Sequence, residues 1–222
     1  MTEYPRVRLF GESALLVELG EVVDPRINAR IHALARRIDR GGDGLLGVGR
    51  SVPAYASLLV PFDIGVTDPV ALRSRLAELA DATEATVASG TLVEIPVMYG
   101  YDDGPDLDEV AHLTGISPDA VIDQHAAAEY RVYMLGFAPG FAYLGPLPEA
   151  LRVPRRAEPR VRVPAGSVAV AGAQTAVYPQ QTAGGWHLIG RTEEPLWDPL
   201  ADEPARLRPG DRVYCMPCMS RL

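Results

Sequence analysis

Apolar positions along the chain change period several times, and the changes outline its elements. Over residues 6–19, RVRLFGESALLVEL, two short apolar runs flank Gly11-Glu12-Ser13, the pattern of a β-hairpin. Asp24 then precedes Pro25 in the order of a helix N-cap and first turn, where proline's missing N–H costs nothing. Ile27, Ile31, Leu34 and Ile38 recur at steps of four, three and four, which predicts one apolar stripe on a helix closed by Gly41 and Gly42. Residues 45–48 and 55–62 read as a second pair of strands. Asp68-Pro69 opens a second helix, with Val70, Leu72, Leu76 and Leu79 apolar through about Ala82. The order strand, strand, helix, twice over, predicts a small α+β domain with its helices on one sheet face.

The second half changes character. Residues 92–98 predict a strand, and 106–114 and 118–127 two short helices, with Asp106 and Ser117 at cap positions and Gly115 between them. From Tyr130 onward the chain is rich in glycine, proline and β-branched residues, and helical periodicity does not return. Short strands with close turn punctuation predict a mainly-β barrel or sandwich-like domain. A boundary at Ser89-Gly90 divides an α+β domain, 1–89, from this mainly-β domain, 90–222.

Composition adds constraints. At 222 residues with 47% hydrophobic and 23% charged positions, the chain is long enough to bury a sizeable core. The net charge of −8 disfavours nucleic acid as a partner, which a basic face would attract. No run approaches the ~18 apolar residues of a membrane span, and the first residues lack a signal core, so a soluble, cytoplasmic protein is expected. All 21 basic residues are arginine. Without lysine, Schiff-base, pyridoxal-phosphate and P-loop chemistry from this chain are excluded. Cys215 and Cys218 form a lone C-x-x-C; with few histidines to complete a zinc set, no metal site is expected.

Three segments gather the candidate chemistry. In 136–145, GFAPGFAYLG, glycines such as Gly140 allow close backbone approach, and Phe141 offers a rigid wall. In 154–164, PRRAEPRVRVP, two Pro-Arg steps project Arg155 and Arg160 from stiff backbone, and guanidinium forks suit carboxylate and phosphate oxygens. The third segment runs from Ala165 to Thr192, where Gln174, Thr175, Tyr178 and Trp186 can read a small polar ligand. His125, near a helix end, is a candidate base or anion donor.

These segments, G-F-x-P-G-F-x-Y-L-G, P-R-x-x-x-P-R-x-x-V-P-A-G-S-V, A-G-x-Q-T with Y-P, and G-G-W-x-L-I-G-R-T, resemble the signature of the KipI/PxpB family, also called allophanate hydrolase subunit 1. The preceding His125 and Tyr130-Arg131-Val132, and the hairpin near Gly11, extend the resemblance over nearly the whole chain. It implies a cyclophilin-like form for the barrel and a subunit of an ATP-dependent 5-oxoprolinase, working with PxpC-like (KipA-like) and PxpA-like subunits. That enzyme opens the amide of 5-oxoproline to glutamate through amide phosphorylation, with ATP and magnesium bound with or by a partner. Other members imply two alternatives, a histidine-kinase inhibitor or a carboxyltransferase-type subunit of a biotin-dependent urea carboxylase or allophanate hydrolase system.

Under the first, Arg155 and Arg160 are expected to bind carboxylate or phosphoryl oxygens, and His125 to serve proton transfer or anion binding. Gly140, Phe141, Gln174, Thr175, Tyr178 and Trp186 are expected to hold the substrate in the same pocket. The chain departs from the family pattern at Ala169 and Ala176, where glycine is frequent, and at Thr182-Ala183 before Gly184-Gly185-Trp186.

Overall fold

The computed structural model describes residues 3–41, 45–87 and 90–218. The chain divides into two compact units, Met1–Ala88 and Ser89–Leu222. Of the expected punctuation, Gly42 and Ser89 lie outside the described residues.

In the first unit, strands β1 (Arg6–Leu9), β2 (Ala14–Glu18), β3 (Val52–Pro53) and β4 (Ser57–Pro61) form an antiparallel sheet in the order β1-β2-β4-β3. Helix α1 (Pro25–Asp39) begins at Asp24, whose carboxylate accepts from the Arg26 and Ile27 N–H groups at 2.7 and 3.0 Å. Helix α2 (Pro69–Asp81) starts the same way at Asp68. The period-two alternation of β2 and β4 buries Leu15, Val17, Leu58 and Val60 on one face. Ile31, Leu34 and Ile38 of α1 and Leu72, Leu76 and Leu79 of α2 complete that core. Two expectations are corrected here. Residues 45–48 supply only a single bridge, Val48 to Phe62, and the strand that pairs with β4 is the short β3. Val70 is exposed, because it lies in the first turn of α2 off the buried stripe.

The second unit contains a closed barrel in the order β10-β7-β6-β13-β5-β12-β9. Its strands are β5 (Leu92–Tyr99), β6 (Tyr130–Leu135), β7 (Ala142–Gly145), β9 (Ser167–Ala171), β10 (Gln174–Val177), β12 (His187–Arg191) and β13 (Arg212–Pro217). Pairing of β9 with β10 closes the ring, and β13 lies parallel to β5. Outside it, β8 (Arg160–Val163) and β11 (Thr182–Gly184) make a separate two-stranded sheet. Helices α3 (Leu107–Thr114) and α4 (Pro118–Ala127) meet at Gly115, which ends α3 at φ 73°. Ser117 caps α4 through the Ala120 N–H, but Asp106 makes no side-chain cap on α3. Its carboxylate is taken elsewhere.

Barrel parity sorts side chains into two cores. Val168, Val170, Val177, Ile189, Ala142 and Leu144 belong to the larger cluster. Their neighbours Ala169, Ala171, Ala176, Leu188 and Phe141 pack with Tyr178, Trp186 and Val163 of β8 in a second cluster. Consecutive strand residues point to opposite faces, so both faces of these strands are buried. Ala169 and Ala176 sit within strands and are not among the positive-φ residues, so alanine meets no backbone strain there.

Candidate functional site

The second cluster floors a cleft of about 270 Å³ lined by Phe137, Phe141, Tyr143, Arg155, Pro159, Tyr178, Ala183, Gly184, Gly185 and Trp186. Four of these rings pack edge to face on Phe141. Its ring centroid lies 5.3 Å from Phe137, 5.0 Å from Tyr143, 5.2 Å from Tyr178 and 6.0 Å from Trp186. Such T-shaped contacts satisfy the ring quadrupoles and leave little rotational freedom, so the floor is preformed. The loop over it is pinned by Gly136 N–H to Phe141 O and Phe141 N–H to Ala138 O, each 3.0 Å. Phe137 is held at φ 71°, a left-handed conformation costly for a bulky side chain, and its ring is exposed at the rim.

The opposite wall is the Pro-Arg segment. Arg156 N–H donates to Gly185 O at 2.8 Å, and His187 Nε2–H donates to Pro154 O at 3.0 Å. Arg156 and Arg160 converge on Asp106. Arg160 donates through Nη1 and Nη2 to the two carboxylate oxygens at 2.7 and 2.6 Å, Arg156 Nη1 adds 3.0 Å, and the Leu188 N–H adds 2.7 Å. Arg156 also reaches Glu109 at 3.0 Å. The Asp106 side chain is 4% exposed, so its charge is neutralised inside the framework. Arg155, between these anchored residues, has no hydrogen bond or ion pair with any described residue. Burial raises the pKa of the Tyr143 and Tyr178 phenols, and the Arg155 charge pulls both down.

The expectation of a single pocket is therefore corrected. Phe141, Tyr178, Trp186 and Arg155 line the cleft, whereas Arg160 is consumed by Asp106. His125 and Thr175 sit on the barrel's inner side, because Thr175 has the opposite strand parity to Tyr178. There His125 Nε2 lies 2.9 Å from Thr175 Oγ1, whose hydroxyl donates to Ala169 O at 3.0 Å. Nε2 therefore carries the proton and Nδ1 accepts from the Tyr99 hydroxyl at 2.7 Å. Burial drives the His125 pKa down to about 3. It is a neutral clamp between α4, β5 and β10. Gln174 lies at the far end of β10, roughly 13 Å of strand from Tyr178. Gly140 makes the loop's turn at φ 76°, and an added Cβ would stand 2.8 Å from Trp197 Cβ.

Four contributors escape sequence reasoning. Phe137 and Tyr143 are visible in the aromatic motif, but only strand parity tells which aromatics share a face. Gly184 carries no chemical group, and Asp106 has the look of an ordinary helix cap. Among the described residues, no group of three or more His, Cys, Asp or Glu side chains is placed to hold a metal ion. No helix among them is long and apolar enough to cross a membrane.

The barrel with its aromatic cleft is that of a carboxyltransferase-domain protein: residues 5–207 match the family model "Carboxyltransferase domain, subdomain C and D". The urea amidolyase of Kluyveromyces lactis shares the fold with a TM-score of 0.83 at 22% identity, over 96% of this chain and 15% of that one. The 5-oxoprolinase subunit PxpB of Escherichia coli O157:H7 is 43% identical over 96% of this chain and 95% of its own length. The crystal structure of TTHA0988 matches at 40% identity and a TM-score of 0.78, over 93% of this chain; the chain spans about 40% of that longer one. This chain belongs to the KipI/PxpB family of 5-oxoprolinase subunits.

Proposed function

We propose that this chain is a subunit of an ATP-dependent 5-oxoprolinase that opens 5-oxoproline to glutamate with PxpC-like and PxpA-like partners. The observation that carries the reading, beside the 5-oxoprolinase relatives, is Arg155, a cation with no described partner beside a preformed aromatic floor. The substrate is a flat five-membered ring with one carboxylate. Its ring suits the faces of Phe141 and Trp186, and its carboxylate suits a guanidinium fork. The cleft's volume lies just below the ~300–1,000 Å³ of drug-sized sites, in keeping with a smaller ligand.

The resonance of the lactam makes its nitrogen a poor leaving group. ATP with magnesium supplies the phosphoryl group that activates the lactam oxygen. It belongs to a partner surface in this reading, since this chain offers neither a P-loop lysine nor, among the described residues, a carboxylate cage. The chain's own part is to hold the ring flat, fix its carboxylate and exclude water from one face. A cytoplasmic setting and a cyclophilin-like description of the barrel belong to the same reading.

Co-purification with candidate partner subunits, followed by measurement of ATP hydrolysis and glutamate release, tests it. Hydrolysis that rises with 5-oxoproline is expected. ATP hydrolysis indifferent to 5-oxoproline overturns the reading.

A further inference from the structure

One polar atom in the cleft stands out. Tyr178 is 2% exposed, yet no described residue makes a hydrogen bond with its hydroxyl. Buried hydroxyls ordinarily find partners, because leaving one unpaired costs about 1–3 kcal/mol. Tyr178 instead lies in the lining of the cleft, on the same strip as Arg155 and Gly184. An added Cβ at Gly184 would lie 2.2 Å from Tyr178 Oη and 2.9 Å from Cζ. Gly184 is not among the residues at positive φ, so its backbone does not call for glycine. The missing side chain is explained by the approach of the phenol alone. Tyr178 cannot retreat from such a side chain, because Phe141 packs against its ring at 5.2 Å and its body is enclosed in the second core.

Building on the 5-oxoprolinase reading, we propose that the Tyr178 hydroxyl and the Arg155 guanidinium form a two-point receptor for a small ring carboxylate that also carries a ring carbonyl. Arg155 takes the carboxylate and Tyr178 donates to the carbonyl oxygen. Gly184 is the specificity-determining residue that keeps the hydroxyl reachable. Burial keeps the phenol protonated and hence a donor, and the nearby cation makes it a stronger one. Arg160 cannot substitute for Arg155, since both its terminal nitrogens are committed to Asp106. The receptor therefore asks for one anionic group and one neutral acceptor across a flat ring.

The test is calorimetric titration of the full chain with its co-purified partners, using 5-oxoproline, 2-pyrrolidinone (carbonyl without carboxylate) and cyclopentanecarboxylate (carboxylate without carbonyl). Each truncated probe is expected to bind at least about tenfold more weakly than 5-oxoproline, the size of one charge-assisted or buried hydrogen bond. Arg155→Gln, at an exposed position, removes the preference over 2-pyrrolidinone and leaves that over cyclopentanecarboxylate. Tyr178→Phe does the reverse, and Gly184→Ala weakens 5-oxoproline while far-ultraviolet circular dichroism stays unchanged. Absence of 5-oxoproline binding, or preferences that survive both Arg155→Gln and Tyr178→Phe, overturns the receptor. Turnover of 5-oxoproline by the assembled enzyme that ignores both substitutions also removes the receptor but leaves the 5-oxoprolinase reading standing.

Discussion

Arg160 and Asp106 are joined by two hydrogen bonds of 2.7 and 2.6 Å across 54 positions of sequence. That pairing converts a candidate ligand-binding arginine into part of the framework that holds β8 beside the cleft. Arg156 and the Leu188 N–H share the same carboxylate, so Asp106 is the common partner of three donor residues. Removing it leaves two guanidinium groups without their main counter-charge. Asp106→Asn is expected to cost about 3 kcal/mol of stability, the lower end for breaking a buried ion pair, because Arg160 retains some solvent contact. Arg160→Ala is expected to cost less, since Arg156 and Leu188 still satisfy Asp106. Urea denaturation of both variants checks the order, and equal losses contradict the shared-hub account.

His125 gives a pH dependence with a definite sign. Its pKa falls from 6.5 to about 3 on folding because burial disfavours the charged ring. Between those values the unfolded chain binds more protons than the folded one, so this residue makes stability rise with pH. Its contribution is complete above about pH 6.5 and is lost as pH falls toward 3, at up to about 1.4 kcal/mol per unit. His125→Gln is expected to lower stability at pH 7 and to flatten the dependence between pH 7 and 4. Denaturation at several pH values decides this; an unchanged slope would contradict the assignment of a neutral buried clamp.

Cys215 and Cys218 should differ sharply in reactivity. Burial pushes the Cys215 thiol up to about 12, whereas Cys218 is exposed. Only thiolates react fast, so an alkylating reagent should label Cys218 alone in the native protein and both after unfolding. Three residues of nearly extended chain separate them by roughly 10 Å between Cα atoms, beyond disulfide reach. Mass spectrometry after mild oxidation is expected to find no intramolecular bond between them.

Phe137 holds its left-handed backbone at a cost of about 1–2 kcal/mol, with most of its ring outside the core. Asparagine tolerates that conformation better. Phe137→Asn is expected to raise the unfolding midpoint or leave it unchanged, and to weaken 5-oxoproline binding by shortening the cleft's rim. A lower midpoint with full binding would reverse the proposed trade of stability for ligand contact.

Helices are legible in the sequence wherever a stripe coincides with a cap. Asp24-Pro25 and Asp68-Pro69 each mark a start that local chemistry alone explains. The hairpin near Gly11 and the strand beginning at Leu92 are equally legible from alternation. Residues 45–48 mislead because a short apolar run satisfies either a strand or a coil that merely covers the core; the pairing at β3 rests on partners distant in sequence. Asp106 misleads for the opposite reason. It stands where a cap belongs, but three donor residues outcompete the helix end for its oxygens.

By itself, then, the chain's order of residues determined its local elements, the absence of lysine and the concentration of aromatic and arginine chemistry between residues 136 and 192. Only tertiary structure decided which of those groups meet. Alternate residues of one strand face opposite cores, so Thr175 joins His125 inside the barrel while Tyr178 joins Phe141 outside it. Likewise, two arginines five residues apart are chemically alike until a buried carboxylate claims one. Asp106 takes Arg160, and Arg155 is left with its charge for a ligand.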